Sequence, residues 1–328
     1  MEFTNLTGFP ARMVTGSTGD TEMLYVIVCK VTYVLDQGWL IPVSEDQAWP
    51  VFDQPFVFEG TSLGPELDFR KQGVDLLVFG NAMARHGEPT QQMKVAIKCG
   101  RMRHEMEVFG DRRWGNSDSG LVPSEPEPFL EMPLRHDRAY GGKAVLDGIE
   151  MMHSANPEGR GLYLTEEEAT GSPLPNLERP DDLIRHWTDQ PRPACFFKLP
   201  GILDATGIPE KDPEAALLAK TESAFNDAAP ELIAEASDLG DTLRLIGLSG
   251  DGDIVFPMPP QTGPTAYVSV GLLRSQFPSR VSSLVVLARD RTLIVTYRCL
   301  FRCLFRPLEK RCAELRWTAD VKAGPVLS

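Results

Sequence analysis

The residues best suited to chemistry are scattered along this chain, and the scatter limits what they can do. Five histidines (His86, His104, His136, His153 and His186) and six cysteines (Cys29, Cys99, Cys195, Cys299, Cys303 and Cys312) supply the usual metal ligands. None of them falls in an H-E-x-x-H or paired C-x-x-C arrangement, the spacings that bring two ligands to one ion. Cys299 and Cys303 lie four apart in an arginine-rich segment. On a strand that even spacing puts both thiols on one face, where buried packing explains them better than an incomplete zinc site. Nucleophilic catalysis needs a serine or cysteine beside a base, and the chain has neither a G-x-S-x-G elbow nor a recognised cysteine nucleophile context.

Other groups invite a chemical reading and have a plainer one. The run Gly247-Leu248-Ser249-Gly250-Asp251-Gly252-Asp253 lacks the Lys-Ser/Thr pair and the following helix of a phosphate loop, and reads as a turn. Asp181-Asp182 and Glu166-Glu167-Glu168 read as solvated acids in polar loops. His136, Asp137 and His153 come nearest to a catalytic set, and they carry a competing reading as a hydrolase. Arg289, Arg291, Arg298, Arg302, Arg306, Arg311 and Arg316 concentrate positive charge near the C-terminal end. A solvated strand face with internal ion pairs is expected there ahead of a docking patch.

The elements that must position these groups are mostly strands. Residues 23–40 (MLYVIVCKVTYVLDQGWL) are rich in Val, Ile, Tyr and Thr around Asp36-Gln37-Gly38, which predicts a strand, a tight turn and a second strand. Residues 73–80, 92–99 and 104–109 form a second strand set, in which Met93, Val95 and Ile97 alternate with lysines as on a half-exposed antiparallel strand. From about 115 to 200 proline and glycine are dense and periodicity fades. Proline has no N–H to donate, so ordered loops draped over a scaffold are expected. Asp212-Pro213-Glu214 predicts a helix start running to Ala224, and residues 230–238 predict a second helix. Strands return at 241–248 and 254–256, then at 265–273, 282–288 and 292–301, with 301–317 open to helix or strand.

The fold expected is mainly β, with one or two antiparallel β-sandwich or barrel-like lobes, long Pro/Gly-rich loops and a short helical insert. The organisation expected is an N-terminal β lobe over 1–115, a loop region over 116–200 packed on the lobes, and short helices then a C-terminal β lobe over 201–328, or one continuous domain. At 328 residues and 42% hydrophobic composition the chain can bury a large core without a metal or disulfide. A net charge of −13 argues against nucleic-acid binding, which needs a basic surface. No apolar run approaches the roughly 20 residues that span a bilayer, and the start lacks a signal-peptide pattern, so a reducing cytoplasm is expected.

Taken as a set, several stretches resemble a known family. They are Asn5 with Gly8-Phe9-Pro10, then Val28-Cys29-Lys30-Val31-Thr32-Tyr33, then residues 62–71 (SLGPELDFRK) leading into Val74-Asp75. More specific are Gly110-Asp111-Arg112-Arg113-Trp114, Pro128-Phe129-Leu130-Glu131-Met132-Pro133-Leu134, and Asp137-Arg138-Ala139-Tyr140-Gly141-Gly142. Asn156-Pro157-Glu158-Gly159-Arg160-Gly161, Leu174-Pro175-Asn176-Leu177-Glu178, residues 225–230 and Leu245-Ile246-Gly247-Leu248 continue the order. Together these resemble the domain-of-unknown-function family 2169. One departure stands out: the family's P-A-G-F-G-P is Pro193-Ala194-Cys195-Phe196-Phe197-Lys198 here, and the C-terminal pentapeptide repeats of some relatives are absent.

The resemblance implies a cytoplasmic adaptor or chaperone of type VI secretion that binds an effector through its PAAR-type segment and helps place it on the VgrG spike. It implies binding rather than catalysis, with the effector/PAAR protein and VgrG as partners, and it carries over no catalytic, cofactor or metal residues. The motif residues Asp111, Arg112, Trp114, Pro128, Phe129, Met132, Pro133, Asp137, Arg138, Tyr140, Gly141, Gly142, Asn156, Pro157, Asn176 and Glu178 are expected to hold the fold ahead of touching a client. Asp111, Arg112, Asp137 and Arg138 are expected to form ion pairs that pin the loops. A self-assembling part of the secretion apparatus is a third reading.

Overall fold

The structure is a computed structural model, and it describes residues 1–17, 22–67, 69, 71, 73–118, 120–146, 148–198, 225–304 and 310–317. Its organising element is the strand Glu22–Asp36, in which Tyr25 through Tyr33 are all buried. Both faces of this strand are covered, which is why it reads as nearly continuous apolar sequence. Tyr25, Ile27, Cys29, Val31 and Tyr33 face the main core. On the other face, Val26 and Val28 pack on Val51, and the Trp49 N–H donates to Thr32 Oγ1 at 3.0 Å. Gln37 and Gly38 both take positive φ (46° and 85°), the hairpin turn that matches strand twist, and lead into Trp39–Pro42.

Ten strands form one curled, barrel-like sheet. Its path runs Glu2–Asn5, Arg311–Arg316, Thr262–Val270, Leu273–Leu287, Thr292–Leu304, Glu22–Asp36, Ala11–Ser17. The two ends of that path are consecutive in the chain, joined only through residues 6–10, so the sheet comes close to closing on itself. The joining loop is tied at both sides: the Leu6 N–H donates to Leu315 O at 2.8 Å and the Lys30 N–H to Pro10 O at 2.9 Å. Val74–Phe79 pairs in parallel with the far half of Leu273–Leu287. Strands from 1–115 and from 201–328 therefore share this sheet.

A second sheet of five strands runs Leu177–Glu178, Met102–Phe109, Gln92–Cys99, Thr242–Ile246, Ile254–Pro257. Both sheets contribute to one core, in which Leu76, Val78 and Val295 meet Ile97, Met106 and Phe256. Phe196 and Phe197, from the segment that departs from the family pattern, bridge them. Phe197 lies 4.6 Å from Phe79 and Phe196 lies 5.5 Å from His104, ring centre to ring centre.

The predicted strands at 73–80, 92–99, 104–109, 241–248 and 254–256 are all present, and 301–317 holds the strand Arg311–Arg316. The large sheet is a near-closed curl, the barrel-like of the two forms expected. Two expectations need correction. Residues 230–238 are not a helix but two 3-10 turns, Pro230–Leu232 and Ala236–Asp238, around the short strand Ile233–Ala234. There the pairing of Ile233 and Ala234 with Asp75 and Val74 overrides helix propensity. The strand predicted at 265–273 breaks at Gly271 (φ 58°), a turn that sends the chain back as Leu273–Leu287. The helix predicted at 212–224 lies outside the described residues. Among the described residues the only α-helix is Glu166–Ala169, and no helix is long and apolar enough to cross a membrane.

Candidate functional site

Leaving Met102–Phe109, the chain passes Gly110, where a Cβ would sit 1.7 Å from Glu127 O, so only glycine fits this crossing. Arg112 then turns inward. Its Nη2 donates to Pro175 O at 2.8 Å and to Glu178 Oε1, and its guanidinium stacks 3.8 Å from the centre of the Phe109 ring. The other Glu178 oxygen accepts the Ile184 N–H at 2.8 Å. Both side chains of this ion pair are buried. Burial pushes the Glu178 carboxyl above the ordinary range, and Arg112 and the Ile184 N–H pull against that rise.

Asn176 extends the knot with both its backbone and its amide. Its N–H donates to Arg138 O and its C=O accepts the Phe109 N–H, each at 2.8 Å. Its Nδ2 donates to Phe109 O at 3.1 Å and Asp111 Oδ1 at 3.0 Å, and its Oδ1 accepts Arg138 Nη1 at 3.1 Å. Asn156 does the same job one turn of chain away, with Nδ2 donating to His136 O and Tyr140 O, both at 2.9 Å, while its C=O accepts the Gly142 N–H at 2.8 Å. This approach requires Gly141 (φ 141°), where a Cβ would lie 2.1 Å from Asn156 O, and Gly142 (φ 106°), where it would lie 2.7 Å from Gly159 O.

The motif residues thus fall into several groups. Asp111, Arg112, Arg138, Asn176 and Glu178 form the polar knot, and Tyr140, Gly141, Gly142 and Asn156 form its neighbour, with Pro157 half-buried beside it. Trp114 and Tyr140 join Leu174 and Ile184 in a small separate core. Phe129 and Met132 reach the main core; Pro133 ends the strand Glu131–Pro133, which pairs with Asn81–Met83, and Pro128 is exposed. Asp137 stays outside the knot, its carboxylate held by Arg135 at 3.0 and 3.1 Å. The inward arginines take partners from across the layer, because neighbours on extended backbone point to opposite sides.

The competing catalytic set is not assembled by these contacts. His153 Nδ1 accepts the Asn156 N–H at 3.1 Å, His136 packs against Phe197, and burial lowers the pKa of both imidazoles. The acids read as solvated lie mostly exposed, with Glu168 and Thr165 also capping the short helix and Asp181 pairing with Arg192 at 2.8 Å. The thiols of Cys195 and Cys299 are pushed up to about 12 by burial. The C-terminal arginines have separate partners: Arg298 donates to Lys71 O at 2.6 Å, Arg316 lies over Tyr267, and Arg302 lies 3.9 Å from Glu22. Arg306 lies outside the described residues. Among the described residues no group of three His, Cys, Asp or Glu is placed to hold a metal ion.

Two features escaped the sequence reading of the site. The first is a buried ionic network behind Glu22–Asp36, where Lys30 Nζ meets Glu66 at 2.6 Å and Pro50 O at 2.7 Å. Lys71 Nζ meets Asp75 at 2.7 Å, and Asp75 also accepts Asn226 Nδ2 at 2.6 Å and the Asp227 N–H at 3.0 Å. Burial pulls the Lys71 ammonium down, but Asp75, Asp227 and Glu66 outweigh it and hold it above the usual lysine range. Lys30, inside the apolar run 24–35, was the available signal, while Lys71 lies in a polar stretch that offered none. The second is the hairpin Lys143–Leu146 with Ile149–Met152, whose signal was the dipeptide Asp147-Gly148 between apolar residues.

No curated protein and no solved structure matches the chain. The family described as "Uncharacterized protein conserved in bacteria (DUF2169)" matches residues 20–298, a span that takes in the five-stranded sheet, the polar knot and most of the barrel-like sheet. The chain belongs to that family.

Proposed function

We propose that this protein is a cytoplasmic adaptor that binds a type VI secretion effector through its PAAR-associated segment and promotes its loading onto VgrG. The observation that carries this reading is how the motif side chains are used. Asp111, Arg112, Arg138, Asn156, Asn176 and Glu178 bond to one another and to backbone, so the family pattern builds a fixed layer on one sheet, which suits a binding surface. That layer is acidic: residues 109–192 contain sixteen Asp and Glu against nine Lys and Arg, a net charge of −7 out of the chain's −13. A fixed, charged surface steers and orients a partner protein, and an interface of standard size, about 1,600 Å² in total, needs no deep pocket.

Co-expression with a PAAR-bearing effector and VgrG from the same bacterium, followed by purification and sizing, tests this. A stoichiometric complex that keeps the effector soluble is expected. Absence of binding, together with normal effector secretion in a strain lacking this gene, would overturn it.

A further inference from the structure

The hairpin Lys143–Leu146/Ile149–Met152 has no packing of its own to explain it. Its two strands pair only with each other. Val145 (54% exposed), Ile149 (67%), Met151 (46%) and Met152 (53%) are all open to solvent. The register pairs Ala144 with Met151 and Val145 with Glu150, so Ala144, Ile149 and Met151 share one wholly apolar face. The other face carries Val145 and Met152 around the Lys143–Glu150 pair, which lies 3.4 Å apart and leaves that face without net charge. An isolated two-stranded hairpin is marginal in water, because nothing covers its apolar side.

Its base, by contrast, is fixed. Gly141 and Gly142, held against Asn156 and Gly159, immediately precede the first strand, and the His153 N–H donates to Gly142 O at 2.9 Å just after the second. The motif therefore anchors a projecting apolar finger.

We infer that this hairpin is the docking element for the client, seating in an apolar groove rimmed by basic side chains on the partner protein. The apolar face asks for a groove, and the two methionines adapt to its shape. The net charge of −7 on the surrounding layer asks for a basic rim. The same charge disfavours a second copy of this chain as occupant, since that would bring two acidic layers together. That the partner is the effector rests on the adaptor reading above.

The test is calorimetric titration of the full-length protein with the purified PAAR-bearing effector, at low and high salt. It compares wild type, the double variant Ile149→Ser/Met151→Ser, and a variant in which residues 143–152 are replaced by a Gly-Ser link. Thermal melting serves as the folding control. Both variants are expected to melt as wild type does and to weaken binding by about tenfold or more, with wild-type affinity falling as salt rises. Wild-type binding that the variants retain within about twofold would overturn the hairpin assignment and leave the adaptor reading standing. Failure of the wild type to bind either effector or VgrG would overturn the adaptor reading and this partner with it. A wild-type dimer that the double variant converts to monomer would overturn the proposal in favour of self-association.

Discussion

The barrel-like sheet and the layer spanning residues 109–192 are held together by different physics. In the sheet, backbone satisfies backbone: Glu22–Asp36 pairs with Thr292–Leu304 through thirteen consecutive positions, and apart from Lys30 and a few threonines the buried side chains on them are apolar or aromatic and need mainly to fit. In the layer, side chains do what the ladder does elsewhere. The Phe109 and Tyr140 carbonyls, the Pro175 carbonyl and the Ile184 N–H are satisfied by Asn176, Asn156, Arg112 and Glu178. Proline has no N–H to give to a ladder, so the ladders in this region are short and the buried polar groups outside them each need a particular partner. Residue identity is therefore freer through most of the sheet than in the layer, the buried Lys30–Glu66 and Lys71–Asp75 pairs excepted.

The largest expected effect separates the two regions. Arg112→Met leaves the Glu178 carboxylate buried beside an apolar chain, and urea unfolding should show a loss of about 3–5 kcal/mol. Leu76→Met in the barrel, a volume-conserving swap at a buried position, should lose less than about 1.5 kcal/mol. Equal losses would erase the distinction. Gly141→Ala comes next, on the order of 3 kcal/mol, because it combines a φ of 141° with a Cβ only 2.1 Å from Asn156 O. Thermal melting would reveal it, and a melt equal to wild type would mean that the layer gives way more easily than its hydrogen bonds suggest.

The same distinction explains what could be read in advance. The alternation Met93, Val95, Ile97 and the turn at Gln37-Gly38 are local signals, and both elements lie where they were expected. The near-closure of the large sheet was not legible, because it depends on Glu2–Asn5 pairing in parallel with Arg311–Arg316 some three hundred residues away. At the site, the motif named the right residues but not their partners. Arg112 reaches Glu178 across 66 positions, and no periodicity encodes that. Residues 230–238 failed for the opposite reason, a good local helix pattern overruled by pairing with Val74 and Asp75.

Acid should loosen the layer before the barrel. His136 and His153 both have pKa values lowered from the ordinary 6.5, His136 by burial working against its bond to the Phe197 backbone and the Glu158 and Asp137 charges, His153 by burial alone. The unfolded chain thus takes up their protons first, so stability is full above about 6.5 and is lost as pH falls toward the folded values. Glu178, raised by burial, works in the opposite sense, gaining stability as pH falls through its folded value. Between pH 7 and pH 5.5 a net loss of stability is expected, reduced in His136→Gln. Hydrogen exchange should show amides of residues 136–160 opening first. Barrel amides opening at the same pH would mean that the two regions unfold as one unit.

The smallest expected effect sharpens the contrast within the layer itself. Ile149→Ser and Met151→Ser remove large apolar side chains, a change that in the barrel would be severe, yet both positions are exposed and touch no core. Urea unfolding should register a change within about 0.5 kcal/mol for either variant. A larger loss would mean that the hairpin packs on its own protein and belongs to the fold. If the loss stays small, folding does not need the apolar face, and the fixed base at Gly141, Gly142 and Asn156 holds rigid a hairpin whose apolar side chains the fold itself does not use.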